Sequence, residues 1–187
     1  ALINRWLNGV SRKPCSIFVK DSECKFDLAL PPVVRTKFPI VDTIYLRKRG
    51  IYEPNTSAAL KHILRPGMKA LEIGAAYGYF TAQMSQLVGE SGKVYSYEAD
   101  ATMYSWLSDN VEINWLNNIR LNNKAISAND RPLEIVTSSG VPIESSNYVD
   151  IVNECGAFDF IFIDIDAHSA DGSIARQELP LVKAIMN

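Results

Sequence analysis

Residues 71 to 80 read Leu71–Glu72–Ile73–Gly74–Ala75–Ala76–Tyr77–Gly78–Tyr79–Phe80, and this stretch carries the clearest chemical signal in the chain. The run from Met68 to Ile73 is apolar and suits a buried strand, and Phe80, Met84 and Leu87/Val88 then recur at helical spacing. A glycine turn between a strand and a helix is where α/β proteins bring backbone up to a nucleotide. The spacing narrows the ligand. A dinucleotide fingerprint places Gly at its first, third and sixth positions, occupied here by Gly74, Ala76 and Tyr79. No Gly-Lys-Ser/Thr closes the turn, so it is not a P-loop. Glu72-x-Gly74-x-x-x-Gly78 permits close approach but lacks a phosphate cradle.

A second acid follows. Lys93–Val94–Tyr95–Ser96–Tyr97–Glu98 alternates and stops at Glu98–Ala99–Asp100, which predicts a second strand ending in a carboxylate. An acid at this distance from a glycine turn accepts hydrogen bonds from ribose hydroxyls and repels a phosphorylated ribose. Glu98 also stands where a helix N-terminus favours a negative charge. The turn and the acid together fit a nucleoside without phosphates, of which S-adenosylmethionine is the common one. Tyr77, Tyr79 and Phe80 lie on or beside the turn, where a ring face can stabilise a sulfonium cation or simply pack between helix and strand. Phe158 to Ile165 is a near-continuous apolar run suited to a central parallel strand. Its carboxyl end would carry Asp164, Asp166 and His168 to the reacting edge of the sheet. Asp164 is a candidate for the methionine amino group or the acceptor, and Asp166 or His168 for a general base.

These residues need a frame. A helix over residues 55–65, capped by Asn55 or Thr56, should end at Pro66–Gly67. After Glu98 a helix capped by Asp100 carries Met103, Leu107 and Val111 on one face and runs to Asn117–Asn118. Ile119 to Asn123 alternates as a third strand, and its exit would meet the adenine through the Asn123 amide or the Ala125 backbone. Leu133–Val136 reads as a further strand, and Ser138–Asn147 as a polar loop over the substrate. Arg176–Met186 reads as a closing helix. Residues 1–50 form a lead-in with short strands at Ile17–Lys20, Phe26–Leu30 and Asp42–Leu46, broken by Pro31–Pro32 and Pro39. The expected fold is α/β: a Rossmann-like, doubly wound, mostly parallel sheet with helices on both faces, a β-containing lead-in at 1–50 and a nucleoside-binding domain at 51–187.

Taken together, the segments resemble a class I S-adenosylmethionine-dependent methyltransferase, and more narrowly the FkbM-type methyltransferases. The carrying segments are Tyr52–Thr56, Leu64–Gly67, Leu71–Phe80, Val94–Asp100, Asn110–Asn114, Asn123–Ser127 and Asp159–Asp166. The resemblance implies a cofactor site at Glu72, Gly74, Ala75, Ala76, Tyr77, Gly78, Tyr79, Phe80, Glu98, Ala99, Asn123, Ala125 and Asp164, with catalysis by Asp164, Asp166 and His168. It implies methylation of an oxygen on a small molecule or sugar. It also implies about seven strands, the last forming a hairpin beyond Asn187, so the chain reads as cut short. Two departures stand out: Glu72 and Ala76 replace the usual Asp and Asn of the turn, and Asp164–Ile165–Asp166–Ala167–His168 replaces the usual Asp-x-Glu-Gly.

Composition narrows the classes further. The 187 residues are 47% hydrophobic and 21% charged, ordinary for a globular domain, with a net charge of −2. That balance argues against nucleic acid or an anionic membrane as partner, although Arg12–Lys13 and Arg47–Arg49 are locally basic. Cys15, Cys24 and Cys155 show no ligand spacing, which argues against a structural zinc and for a reducing, cytoplasmic setting. No apolar run is long enough to span a bilayer. Two alternatives stay open. An apolar strand ending in Asp164-x-Asp166 also suits a glycosyltransferase that holds a nucleotide-sugar diphosphate through a metal, and the altered Asp164–His168 segment suits a methyltransferase-like domain that binds without turning over.

Overall fold

The computed structural model describes residues 15–20, 24–30, 51–127, 135–136 and 142–165, with single helical positions at 182 and 185. The expected strand at 42–46, both basic clusters, Asp166 and His168 lie outside the described residues. So does most of the expected closing helix, of which Val182 and Ile185 are helical.

The centre is a four-stranded parallel sheet. Strands β3 (Lys69–Ile73), β4 (Lys93–Tyr97), β5 (Ile119–Asn122) and β10 (Phe160–Ile163) lie in the order β10-β3-β4-β5. Glu72 stands opposite Ser96 on one side and Phe162 on the other. Helix α2 (Tyr79–Val88) crosses from β3 to β4, and α3 (Ala101–Ile113) crosses from β4 to β5. The chain then returns to β10 on the far side of β3. The order therefore reverses beside β3, and in this Rossmann-like α/β fold ligands bind at the carboxyl ends of the strands flanking such a reversal.

The pleat sends alternate residues to opposite faces. Ala70 and Val94 join a core with α2, α1 (Pro54–Ile63) and an N-terminal hairpin. Leu71, Ile73 and Tyr97 join a second core with Ile126 and with Ile151 of α4 (Tyr148–Cys155). Lys69 links the two ends of this second layer. Its ammonium donates to the Cys155 carbonyl and lies over the Tyr95 and Phe158 rings.

The hairpin, β1 (Cys15–Lys20) with antiparallel β2 (Lys25–Leu30), explains an unexpected feature of α2. One apolar face was expected, yet Tyr79 to Ser85 are all buried. The sheet covers one side of the helix, and Val19, Phe26 and Leu28 of the hairpin share the same core. The free edge of β2 is closed by side chains instead of a third strand. Gln86 of α2 accepts from Lys25 N (2.9 Å) and donates to Lys25 O (2.6 Å). Asn114, just past α3, does the same for Asp27 (2.7 and 2.6 Å). Asn110 of α3 does so for Ala29 (2.6 and 3.0 Å). Residues 25, 27 and 29 alternate along the strand, so each of these amides meets a peptide unit pointing away from β1.

Several boundaries differ from expectation. Helix α1 begins at Pro54, a favoured first helical position, with Glu53 before it in left-handed conformation (φ 41°). Asn55 and Thr56 therefore do not cap it; Thr56 Oγ1 donates instead to Glu53. Asp100 caps α3 as expected, accepting from Thr102 N and Met103 N. The helix stops at Ile113 rather than Asn117, because Trp115 turns left-handed (φ 54°). Asn118 closes a different helix, donating to the Ser85 and Gly89 carbonyls at the end of α2. Within the expected polar loop, β8 (Pro142–Ile143) pairs with β7 (Ile135–Val136). Next to it, β9 (Ser145–Asn147) pairs with β6 (Ala125–Ser127), and Asn147 caps α4. Among the described residues no helix is long and apolar enough to cross a membrane.

Candidate functional site

The turn after β3 is built on left-handed backbone at Gly74 (φ 89°), Ala76 (φ 48°) and Gly78 (φ 93°). Gly74 cannot be replaced without movement, because a Cβ there would fall on the Asp164 carbonyl oxygen at the exit of β10. A Cβ on Gly78 would come within 2.7 Å of Leu107 Cδ1 in α3. The two glycines thus admit neighbouring strand and helix, and the turn is held between β10 and α3.

Its amides are largely spoken for. Gly74 N and Ala75 N both donate to the Tyr97 carbonyl at the end of β4 (2.9 and 3.0 Å). Gly78 N donates to the Ala75 carbonyl (2.9 Å). Ala76 N donates to Glu98 Oε2 (2.7 Å), while Glu98 Oε1 accepts from Asp100 N (2.7 Å). Glu98 therefore bridges the glycine turn and the start of α3. The Ala99 backbone also donates to this carboxylate; an ionised carboxylate has about four acceptor positions, so about one remains after these bonds. A carboxylate at the turn repels a phosphate at the place where a dinucleotide would put one. A neutral diol such as a ribose can donate to it.

The charges around the turn share one sign. Glu72 is fully buried, and its carboxyl is pushed up to about 7. Desolvation is the main cause, opposed by hydrogen bonds from Ser96 (2.6 Å) and Thr81 (2.5 Å) and reinforced by the charges of Glu98 and Asp164. Burial also raises Glu98, partly offset by its backbone partners at Asp100 and Ala76. Three acids converging on one turn favour a cationic ligand over an anionic one. Among the described residues no group of three or more His, Cys, Asp or Glu is arranged to hold a metal.

Tyr79 and Phe80 lie in the core. Tyr79 packs edge-on against Phe26 and Tyr52, its hydroxyl accepts from Tyr52 N, and Phe80 packs against Phe162. Their rings thus take the packing place between helix and strand, one of the two placements open to them from the sequence. Tyr77 packs partly buried against the same core, and its carbonyl accepts from Asn110 Nδ2 (2.7 Å). Ala125 N donates to the Glu144 carbonyl (2.8 Å). Asn123 Nδ2 donates to the carbonyls of Glu98 (2.8 Å) and Ala99 (3.3 Å), pinning the loop that carries the acid. Lys124 pairs with Glu144 at 3.1 Å. Asp164 sits beside Gly74, its N–H bonded to the Ile73 carbonyl. The structure thus gathers Glu72, Gly74, Ala76, Glu98, Ala99, Asn123 and Asp164 around one turn. Sequence reasoning missed Asn110, Thr81 and Ser96. Only the i, i+4 pairing of Asn110 with Asn114 on a helix hinted at a shared task.

Residues 49–128 match the family described as protein-L-isoaspartate (D-aspartate) O-methyltransferase. A 49-residue stretch is 47% identical to the protein-L-isoaspartate O-methyltransferase of Methanothrix thermoacetophila, covering 26% of this chain and 23% of that protein. The chain therefore matches less than a quarter of that relative's length. A solved SAM-dependent methyltransferase from Aquifex aeolicus aligns over 78% of this chain and 61% of its own, at 22% identity and a TM-score of 0.47. A solved protein-L-isoaspartate O-methyltransferase aligns over 84% of this chain and 36% of its own, at 20% identity and a TM-score of 0.40. The matched family is a methyltransferase family, but not the FkbM type that the sequence resembles.

Proposed function

We propose that this chain carries the cofactor-binding portion of an S-adenosylmethionine-dependent O-methyltransferase. The observation that supports this most directly is the Glu98 carboxylate, 2.7 Å from Ala76 N, closing the glycine turn to phosphates while keeping acceptor capacity for a hydroxyl. When bound, S-adenosylmethionine supplies an electrophilic methyl on a sulfonium. The chain's own residues then have separable tasks. Glu98 accepts from the ribose. Glu98 and Asp164 supply the negative field that a sulfonium and an ammonium prefer, and Glu72 adds to it as it ionises above about pH 7. Asn123 holds the Glu98–Ala99 loop in place. Asp164, at the exit of β10, faces the reacting edge of the sheet.

The acceptor is an oxygen. The names of the family that matches residues 49–128 and of the relative that shares a 49-residue stretch favour an isoaspartyl carboxylate on a protein over the small-molecule or sugar hydroxyl that the FkbM resemblance implies. The two differ in proton bookkeeping. A carboxylate is already ionised at neutral pH and needs no base, whereas a hydroxyl must lose its proton. Asp166 and His168 have a proton to remove only in the second case.

Calorimetry with S-adenosylhomocysteine in the presence of a chelator tests the cofactor assignment. The wild-type chain is expected to bind, and Glu98→Ala to bind at least about tenfold more weakly, through loss of a charge-assisted hydrogen bond to the ribose. Equal affinities would remove the ribose assignment. Binding of uridine diphosphate with manganese, and none of S-adenosylhomocysteine, would move the chain to the glycosyltransferase class. Methyl transfer to an isoaspartyl peptide but not to sugars, at a rate flat from about pH 6.5 to 8.5, supports the carboxylate acceptor.

A further inference from the structure

We propose that Asn110 is a positioning residue for the cofactor turn and that the N-terminal hairpin acts on cofactor binding through it. The inference rests on the cofactor assignment above. Asn110 is buried, 1% exposed, and its amide is fully used. Oδ1 accepts from Ala29 N (2.6 Å), and the two Nδ2 protons go to the Ala29 carbonyl (3.0 Å) and the Tyr77 carbonyl (2.7 Å). One side chain therefore joins the edge of β2 to the middle of the Gly74–Gly78 turn.

The bond to Tyr77 falls where the turn has least support from its own strand. Gly74 and Ala75 are tied to Tyr97, Ala76 to Glu98, and Gly78 to Ala75. Tyr77 lies between the left-handed residues Ala76 and Gly78. Fixing its carbonyl fixes the Tyr77–Gly78 peptide plane; the N–H of that plane donates to the Ala75 carbonyl, whose own peptide unit carries the Ala76 N–H that points to Glu98. A hairpin seated on Asn110 thus sets the acid and the turn against each other.

Asn114 supplies an internal control. It grips Asp27 with the same two-point geometry one turn further along, and its second Nδ2 proton goes to the Asn110 carbonyl, not to the turn. Removing either amide frees β2 backbone groups. Only removing Asn110 takes the Nδ2 donor away from the Tyr77 carbonyl.

The test compares Asn110→Ala and Asn114→Ala in the same chain by thermal unfolding and by calorimetry with S-adenosylhomocysteine at a temperature where both are folded. Both should melt earlier than wild type. Asn110→Ala should bind about tenfold more weakly, whereas Asn114→Ala should bind within about twofold of wild type. Hydrogen exchange at the amides of residues 75–79 should quicken in Asn110→Ala and stay unchanged in Asn114→Ala. If Asn110→Ala does not fold, Asn110→Ser, which keeps one donor, is compared with Asn114→Ser by the same two measurements. Equal affinities and equal exchange in the paired variants overturn the inference and leave Asn110 as a hairpin contact. Failure of the wild-type chain to bind S-adenosylhomocysteine overturns the cofactor assignment instead. In that case unchanged exchange at 75–79 in Asn110→Ala still decides against the positioning role.

Discussion

Glu72 stands at the end of β3 with no exposed surface and two hydroxyl donors, and its titration should be visible in stability. Its carboxyl is held near 7 in the folded chain against an ordinary value of 4.5. From about pH 4.5 to 7 the unfolded chain loses this proton while the folded chain keeps it, so stability falls as pH rises through that window. The loss levels off above pH 7 at about 3 kcal/mol. Urea midpoints at pH 5 and 8 should show this slope, and Glu72→Gln should flatten it; the same slope in both proteins would remove Glu72 as its source. At Gly74, alanine forces both a left-handed non-glycine residue and a clash with the Asp164 carbonyl, and should cost about 2 kcal/mol or more in the same assay. Gly74, Gly78 and Glu98 were legible in the sequence because their spacing along the chain is the signal. The roles of Thr81, Ser96 and Asn110 were not, because each depends on a partner brought up by folding. The core packing of Tyr79 and Phe80 was legible only as one of two readings, because an aromatic beside a glycine turn reads identically whether it faces a ligand or a neighbouring helix.

At the scale of elements, caps and periodicity served well where the stop signal was local. Asp100 was readable as the start of α3 because a carboxylate two and three residues before free amides is a local device. Replacing it with alanine should cost about 1 kcal/mol, measured as a lowered urea midpoint at unchanged slope. An unchanged midpoint would mean that the remaining amides find water at no cost. The end of α3 was misjudged because Asn117–Asn118 reads as an ordinary helix-ending pair, whereas the helix stops at Ile113 and Asn118 closes α2. Strands β3, β4, β5 and β10 were legible as apolar or alternating runs. Of the short strands only β7 was, inside the expected strand Leu133–Val136; β6, β8 and β9 were not, since strands of two or three residues leave no period to detect.

Across the whole molecule, the order β10-β3-β4-β5 puts the ends of β3, β4 and β10 on one rim, and Glu72, Glu98 and Asp164 gather there. A ligand that binds there only in the folded state must raise the melting temperature. At a hundred times its dissociation constant, S-adenosylhomocysteine should add about 2.7 kcal/mol, a shift of several degrees in a thermal melt. Uridine diphosphate with manganese should leave the melt unmoved. The side-chain closure of β2 has a last consequence, for solubility. An uncovered strand is a template on which another chain can add itself, and short hairpins are especially open to such recruitment. Gln86, Asn110 and Asn114 occupy the hydrogen-bonding positions that an incoming strand would use. Truncating all three should turn a monodisperse solution turbid on mild warming, well before the parallel sheet melts.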